Sequence, residues 1–311
     1  MTDDHKEPRI EEQFSNALYD IEHALGMYAL SFSTIPAKAI YDKEELAPLM
    51  SVIDSCHIYL IGYTPCIELV DANDDDGKLN LQLIVAGNEY TLSYNLQDDM
   101  SLKHEGDLHY LEDGSGQRYR LNEYHMQVRL SAESKAVGFE VKYIGQAYGK
   151  DGSRNAIDRL LKHETLQKIS LKGVPDGYRL TLLMLAIQPN NQLFTVMNPF
   201  AKNTDEGSER INSGLEKLFN TTEQERIALY EASLIRYFRP EFNIEFKNSF
   251  PSTNLKILQD CYEKDFSAVI AEICIDGLPF MIFSENVEPD FYHIVKHYLH
   301  KDEDRRIFFG L

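Results

Sequence analysis

The hydrophobic period of this chain changes along its length, and that restricts it to a fold mixing helices with sheet. Over residues 9–32 (RIEEQFSNALYDIEHALGMYALSF), Ile10, Phe14, Leu18, Ile21, Leu25 and Tyr28 recur at three- and four-residue steps, the spacing of an amphipathic helix. A second helix is predicted over 43–54. From 57 to 131 the pattern becomes a series of short runs, HIYLIGYTP, IELV, LNLQLIVA, EYTLSYNL, RYRL and HMQVRL, parted by turn clusters such as DANDDDGK and EDGSG. These read as strands. Asp74, Asp75, Asp76 and Gly77 lack the spaced oxygens and terminal Glu of a calcium loop and read as a solvated turn.

MQVRL and FEVKYIG form a predicted β-hairpin, followed by a helix over 155–169 in which Asn155 and Asp158 make an N-cap pair. A strand over 177–187 comes next, then a polar loop, NPFAKNTDEGSER. Thr222 and Glu225 make a capping box that opens a helix ending near Tyr237, before Pro240. The core order is strand, strand, helix, strand, helix. Beyond it the pattern predicts a helix over 254–264, a hairpin of FSAVIAEICI with LPFMIFSENV, and a last helix in DFYHIVKHYLH.

With 311 residues the chain can hold two domains. It has no apolar run of about 20 residues to cross a bilayer, and its acidic start lacks the apolar core of a secretory signal, so a cytoplasmic protein off the membrane is expected. Cys56, Cys66, Cys261 and Cys274 form no CxxC pair and read as reduced, mostly buried thiols. A net charge of −19 would repel a polyanion, but the charge is unevenly placed. Residues 1–140 hold 10 basic against 26 acidic side chains, 141–243 hold 14 against 12, and 244–311 hold 7 against 12. A phosphate prefers the middle segment, where Lys150, Arg154 and Lys162 are candidate substrate contacts. The acidic flanks suit a basic protein partner, simple solubility or mimicry of DNA.

Glu231 is the sharpest local anomaly. It falls inside the stripe of Ile227, Leu234, Ile235 and Phe238 on its helix, where an ionised carboxylate needs a buried Arg or Lys, or a metal ion. Arg159 and His163, four apart, share one flank of the preceding helix and could grip a phosphate or sit on a solvated face. Tyr143, Ile144 and Gly145 end a strand. His293, His297 and His300 read as a solvated face of the last helix.

In order, YIG, R-x-x-x-H and EASLIRYFRPEFN (231–243) resemble the motif series of the GIY-YIG nuclease superfamily, especially its repair and restriction branches. The resemblance covers about 125–243. It implies that Glu231 holds one divalent cation, Mg²⁺ or Mn²⁺, that Arg159 stabilises phosphoryl charge, and that Tyr143 orients or deprotonates the attacking water. It further implies that His163 positions or relays a proton and that Asn243 ties the scaffold by hydrogen bonds. The usual first motif is missing: the position eleven before Tyr143 is Ala132. Tyr143 alone, Tyr148, Tyr124 or Tyr59 are the candidates for the missing phenol, and Tyr59 requires the β-rich region to be an insertion.

The expected architecture is α+β: a GIY-YIG-like core of three antiparallel strands with flanking helices, a helical and β-rich N-terminal region, and a small α/β C-terminal extension. The segments are 1–56 (helical), 57–124 (β-rich), 125–243 (nuclease) and 244–311 (extension). The expected function is a metal-dependent endonuclease acting on nucleic acid, DNA before RNA, in restriction, anti-phage defence or repair. The rival is a non-catalytic binding or assembly module of the same kind.

Overall fold

The computed structural model describes residues 15–106, 108–134, 136–147, 156–251, 255–301 and Arg305. Its centre is a nine-stranded sheet to which every segment of the chain contributes. The strands are β1 (Ile21–Pro36), β2 (Ile58–Pro65), β9 (Gly138–Gln146), β10 (Tyr178–Ile187), β11 (Gln192–Met197), β12 (Ala268–Cys274), β13 (Met281–Ser284), β14 (Val287–Asp290) and β15 (Tyr292–Tyr298). They lie in the order β14-β13-β9-β2-β10-β1-β12-β15, with β11 also on β1. This overturns the three-stranded core. Residues 126–130, expected as a strand, belong to helix α3 (Glu123–Glu133), and β9 instead pairs antiparallel with β2 and parallel with β13.

The other helices are α1 (Lys43–Leu46), α2 (Met50–Ile53), α4 (Ala156–Leu160), α5 (Glu164–Lys172), α6 (Gly207–Asn220), α7 (Glu223–Phe238) and α8 (Lys256–Glu263). Two small antiparallel sheets, β3 (Ile67–Asp75), β4 (Lys78–Val85) and β5 (Asn88–Asn95), and β6 (Ser101–Glu105), β7 (Leu108–Glu112) and β8 (Arg118–Arg120), intervene between β2 and α3. Among the described residues no helix is long and apolar enough to cross a membrane.

β2 and β10 are covered on both faces. Ile58, Leu60, Leu183 and Leu185 join one core with Ile227, Tyr230, Leu234 and Phe238 of α7. Tyr59, Ile61, Leu182 and Met184 join the other with Leu160 of α4 and Ile169 of α5. Burial on both faces also explains why β1 reads as a helix in the sequence. Residues 21–27 of β1 are all buried, so no two-residue alternation marks them as a strand, and Ile21, Leu25 and Tyr28 mimic a helical step. The first half of β1 pairs with β11 and β12 and its second half with β10, across an irregularity between Ala29 and Ser31.

The expected last helix is strand β15. There His293 and Val295 point inward, and the three histidines are not a solvated face. His293, His297 and His300 each give a ring nitrogen to a backbone carbonyl, of Ile282, Ser233 and Phe266. The FSAVIAEICI hairpin is also corrected, since β12 pairs with β1 and β15 while β13 pairs with β9 and β14. The polar stretch before Thr222 ends in helix α6. No cysteine pairs with another, and Cys56 and Cys261 are buried.

Candidate active site

The site forms where β9 runs out of a neighbouring strand. β13 pairs with β9 only over residues 138–140, which leaves the edge of its last turns of ladder open. The end of α7 and the turn after it close that edge. Phe242 donates its N–H to the Lys142 carbonyl at 3.0 Å. The Asn243 amide receives the Ile144 N–H at 2.9 Å and donates to the Ile144 carbonyl at 2.8 Å. The Glu231 carboxylate accepts the N–H of Gln146. Alternate residues along one strand edge are thus satisfied by side chains and a turn rather than by a strand.

A bulge then brings two phenols together. The β2–β9 register slips between Ile61 and Gly62, so that Tyr143 faces Ile61 and Val141 faces Gly62, and Lys142 is the extra residue. Phe139 and Val141 point into the α7 core, whereas Tyr143 packs on the opposite one, beside Tyr59. Tyr59 lies directly across from Gly145. A Cβ at Gly145 would stand 2.7 Å from the Tyr59 hydroxyl and 2.8 Å from the Tyr143 ring, so only glycine leaves room for both phenols. The YIG tripeptide therefore reads as ring, core residue and clearance.

Arg159 and His163 do not share a helix flank as expected. The helix breaks after α4, and His163 caps α5, its Nδ1 accepting the Leu166 N–H at 3.2 Å. With Nδ1 an acceptor, the proton of the neutral ring lies on Nε2. The His163 ring is 5.0 Å from that of Tyr143 and 5.5 Å from that of Tyr59. Burial, then the Arg159 charge, lowers its pKa, so it is a neutral donor at pH 7. Arg159 hydrogen-bonds the Tyr59 hydroxyl, and Tyr59 bonds Tyr143.

Tyr59, Tyr143, Gln146, Arg159, Glu231 and Asn243 line one cleft of about 480 Å³. Glu231 is 9% exposed, and desolvation followed by the nearby Glu245 pushes its pKa up to about 8. Desolvation, then Glu231, raises Tyr143; desolvation, then Tyr143, raises Tyr59, so both phenols keep their protons near neutral pH. A larger groove of about 1000 Å³ on the outer side of α4 and α5 contains none of these residues.

Lys162 is exposed and does not line the cleft. Lys150, Arg154 and Tyr148 lie outside the described residues. Tyr124 bonds the Gly277 carbonyl and is not part of the cleft. Sequence reasoning missed Gln146, Glu245 and the apolar wall of Phe242, Ile244 and Phe246. The alternation of three apolar side chains straight after the helix-stopping Pro240 was the available signal.

Among the described residues no three His, Cys, Asp or Glu side chains converge to hold a metal. Glu231 and Glu245 nevertheless supply hard carboxylate oxygens. That donor set fits Mg²⁺ or Mn²⁺, since Mg²⁺ keeps several waters and uses one or two carboxylates with substrate phosphate. No family model matches the chain, and neither a curated protein nor a solved structure matches it.

Proposed function

We propose that this chain is a cytoplasmic, divalent-metal-dependent endonuclease that hydrolyses phosphodiester bonds, DNA before RNA, by the chemistry of the GIY-YIG enzymes. The observation that carries the reading is the convergence of Tyr59, Tyr143, Arg159 and Glu231 on one cleft, with His163 against both phenols. These residues come from two strands and two helices far apart in sequence, and packing alone has no need of that combination.

The phenol oxygens of Tyr59 and Tyr143 accept hydrogen bonds and can hold a water in line with phosphorus. The Arg159 guanidinium and the Nε2–H of His163 can donate to the phosphoryl oxygens as charge builds there. A divalent cation on Glu231 would neutralise the scissile phosphate and the leaving oxygen. The products are a 5′-phosphate and a 3′-hydroxyl. The acidic flanks then limit indiscriminate binding or seat a basic protein partner.

One observation favours the rival reading of a non-catalytic module: Glu231 and Asn243 also cap the free edge of β9, a structural duty an inactive domain would keep. The test is incubation of supercoiled plasmid, single-stranded DNA and structured RNA with the purified chain in Mg²⁺, Mn²⁺ or EDTA. Glu231→Gln keeps the edge bond and should still abolish metal-dependent cutting, as should Arg159→Ala, each by about 100-fold or more. No cutting by the parent chain, with both variants folded, selects the binding module.

A further inference from the structure

The cleft has an apolar wall that the proposed chemistry leaves unused. Ile244 is 94% exposed, the most exposed large apolar side chain among the described residues, and it stands at the cleft between Asn243 and Glu245. Single exposed apolar residues are ordinary, but this one has company: Phe242, Phe246 and Leu255 line the same cleft.

The loop that presents Ile244 is also fastened on all sides. Asn243 holds Ile144 by two bonds, and Lys247 Nζ donates to the Pro240 carbonyl at 2.9 Å. Arg236 donates to the Lys247 carbonyl at 2.9 Å, and Arg239 to Asn248 at 3.0 Å. Lys247 N–H reaches back to the Glu245 carbonyl at 2.8 Å across Phe246, whose φ is +60°. That is a γ-turn of the strained hand, uncommon for a bulky residue. A fixed loop thus holds an apolar tip in solvent, one residue from the bonds that build the cleft.

We propose that Ile244 is a wedge that holds a nucleobase flanking the scissile phosphate out of its stack, with Phe242 and Phe246 completing an apolar surface for it. The inference rests on the nuclease reading and names its substrate as a duplex opened next to the cut. Arg159, Glu231 and this wall line the same cleft, so a phosphodiester bound between the two charged groups would present its neighbouring bases to the wall, and an apolar side chain entering a base step is a known way to unstack it.

The test uses a DNA duplex with 2-aminopurine in place of every adenine, a base that brightens when unstacked. It is bound by the Glu231→Gln chain so that it is not cut. Fluorescence should rise about twofold or more on saturation, and Glu231→Gln with Ile244→Ser should lose the rise while still binding. In the chain with Glu231 intact, Ile244→Ser should slow duplex cleavage by roughly tenfold and spare a substrate with abasic sites around the cut. An unchanged rise in the double variant, or no rise in either, overturns the wedge while Glu231-dependent cutting still stands. Absence of binding to any nucleic acid overturns both.

Discussion

Glu231 occupies a position where a leucine would pack, and desolvation with the nearby Glu245 outweighs the Gln146 hydrogen bond and the Arg159 charge, so its carboxyl stays protonated up to a pH of about 8. Its usual value is 4.5, so between 4.5 and about 8 the folded chain keeps a proton that the unfolded chain has lost. Stability contributed by the neutral form is complete below 4.5 and declines as pH rises through that window. Glu231→Gln removes the titration and keeps an acceptor for Gln146. In EDTA the two chains should therefore melt alike near pH 4.5 and diverge in favour of the variant toward pH 8, by on the order of 4 kcal/mol. Mg²⁺ should close the gap. Equal melting across the whole range in EDTA would mean that a cation of the protein already pairs with this carboxylate. Gly145 makes the complementary case at the same scale. Gly145→Ala forces the two phenols apart, and a shift of about 1 Å in such groups costs roughly 100-fold in rate. Cutting should fall by that much while the far-ultraviolet spectrum of the folded chain is unchanged; full activity would show that the phenols need not be adjacent.

Elements opened or closed by a local signal were legible in the sequence, and β1, whose first half is buried on both faces, was not. The capping box of Thr222 and Glu225 and the stop before Pro240 were readable because each is a signal local to a few residues, and the α7 stripe with Glu231 inside it because its period repeats along the helix. β1 reads as a helix because burial of both faces over residues 21–27 erases the two-residue period; β15 does alternate, with His293 and Val295 inward, but His293, His297 and His300 also stand at helical steps. α3 reads as a strand in the sequence because Met126, Val128 and Leu130 alternate, although Val128 points to solvent and the buried set is Met126, Gln127, Leu130 and Ser131. The overlooked signal was Asn122, whose side chain accepts the Tyr124 N–H at 2.8 Å and caps the helix. Asn122→Ala should lower the denaturation free energy by about 1 kcal/mol, read from the urea midpoint, and no change would argue against a capped helix there. Of the residues that line the cleft, Glu231 stands out by its place inside the α7 stripe, whereas Arg159 and Asn243 are reached through the resemblance of the motif order. Tyr59 was not decidable, because only the pairing of β2 with β9 sets it across from Gly145, and no local pattern fixes a register over such a separation.

At the scale of the whole molecule, the charge that most constrains the fold is buried, not the surplus on the surface. Glu22 in β1 is fully buried and accepts from Arg210 at 3.0 Å, from Arg305 at 2.5 and 3.1 Å, and from the Ser267 hydroxyl. Asp265 accepts from Arg210 at 2.7 Å and Arg305 at 3.0 Å, and both guanidinium groups lie over the Tyr19 ring. Burial alone would raise the Asp265 pKa, but hydrogen bonds from His300, Arg210 and Arg305 hold it well below the usual carboxylate range. Two cations and two carboxylates balance here, and they join the first strand, α6 and Arg305 near the other end of the chain. A balanced buried cluster is not in itself a large source of stability, yet removing one member leaves an uncompensated buried charge. Arg305→Ala should therefore cost about 3–5 kcal/mol in chemical denaturation. Glu22→Gln combined with Arg305→Met removes one charge of each sign and retains most of the packing, so the double variant should be more stable than Arg305→Ala alone. If instead the double variant loses more than Arg305→Ala, the ion pairs contribute net stability beyond neutralising each other, and the joining of the chain ends depends on charge rather than on the packing around it.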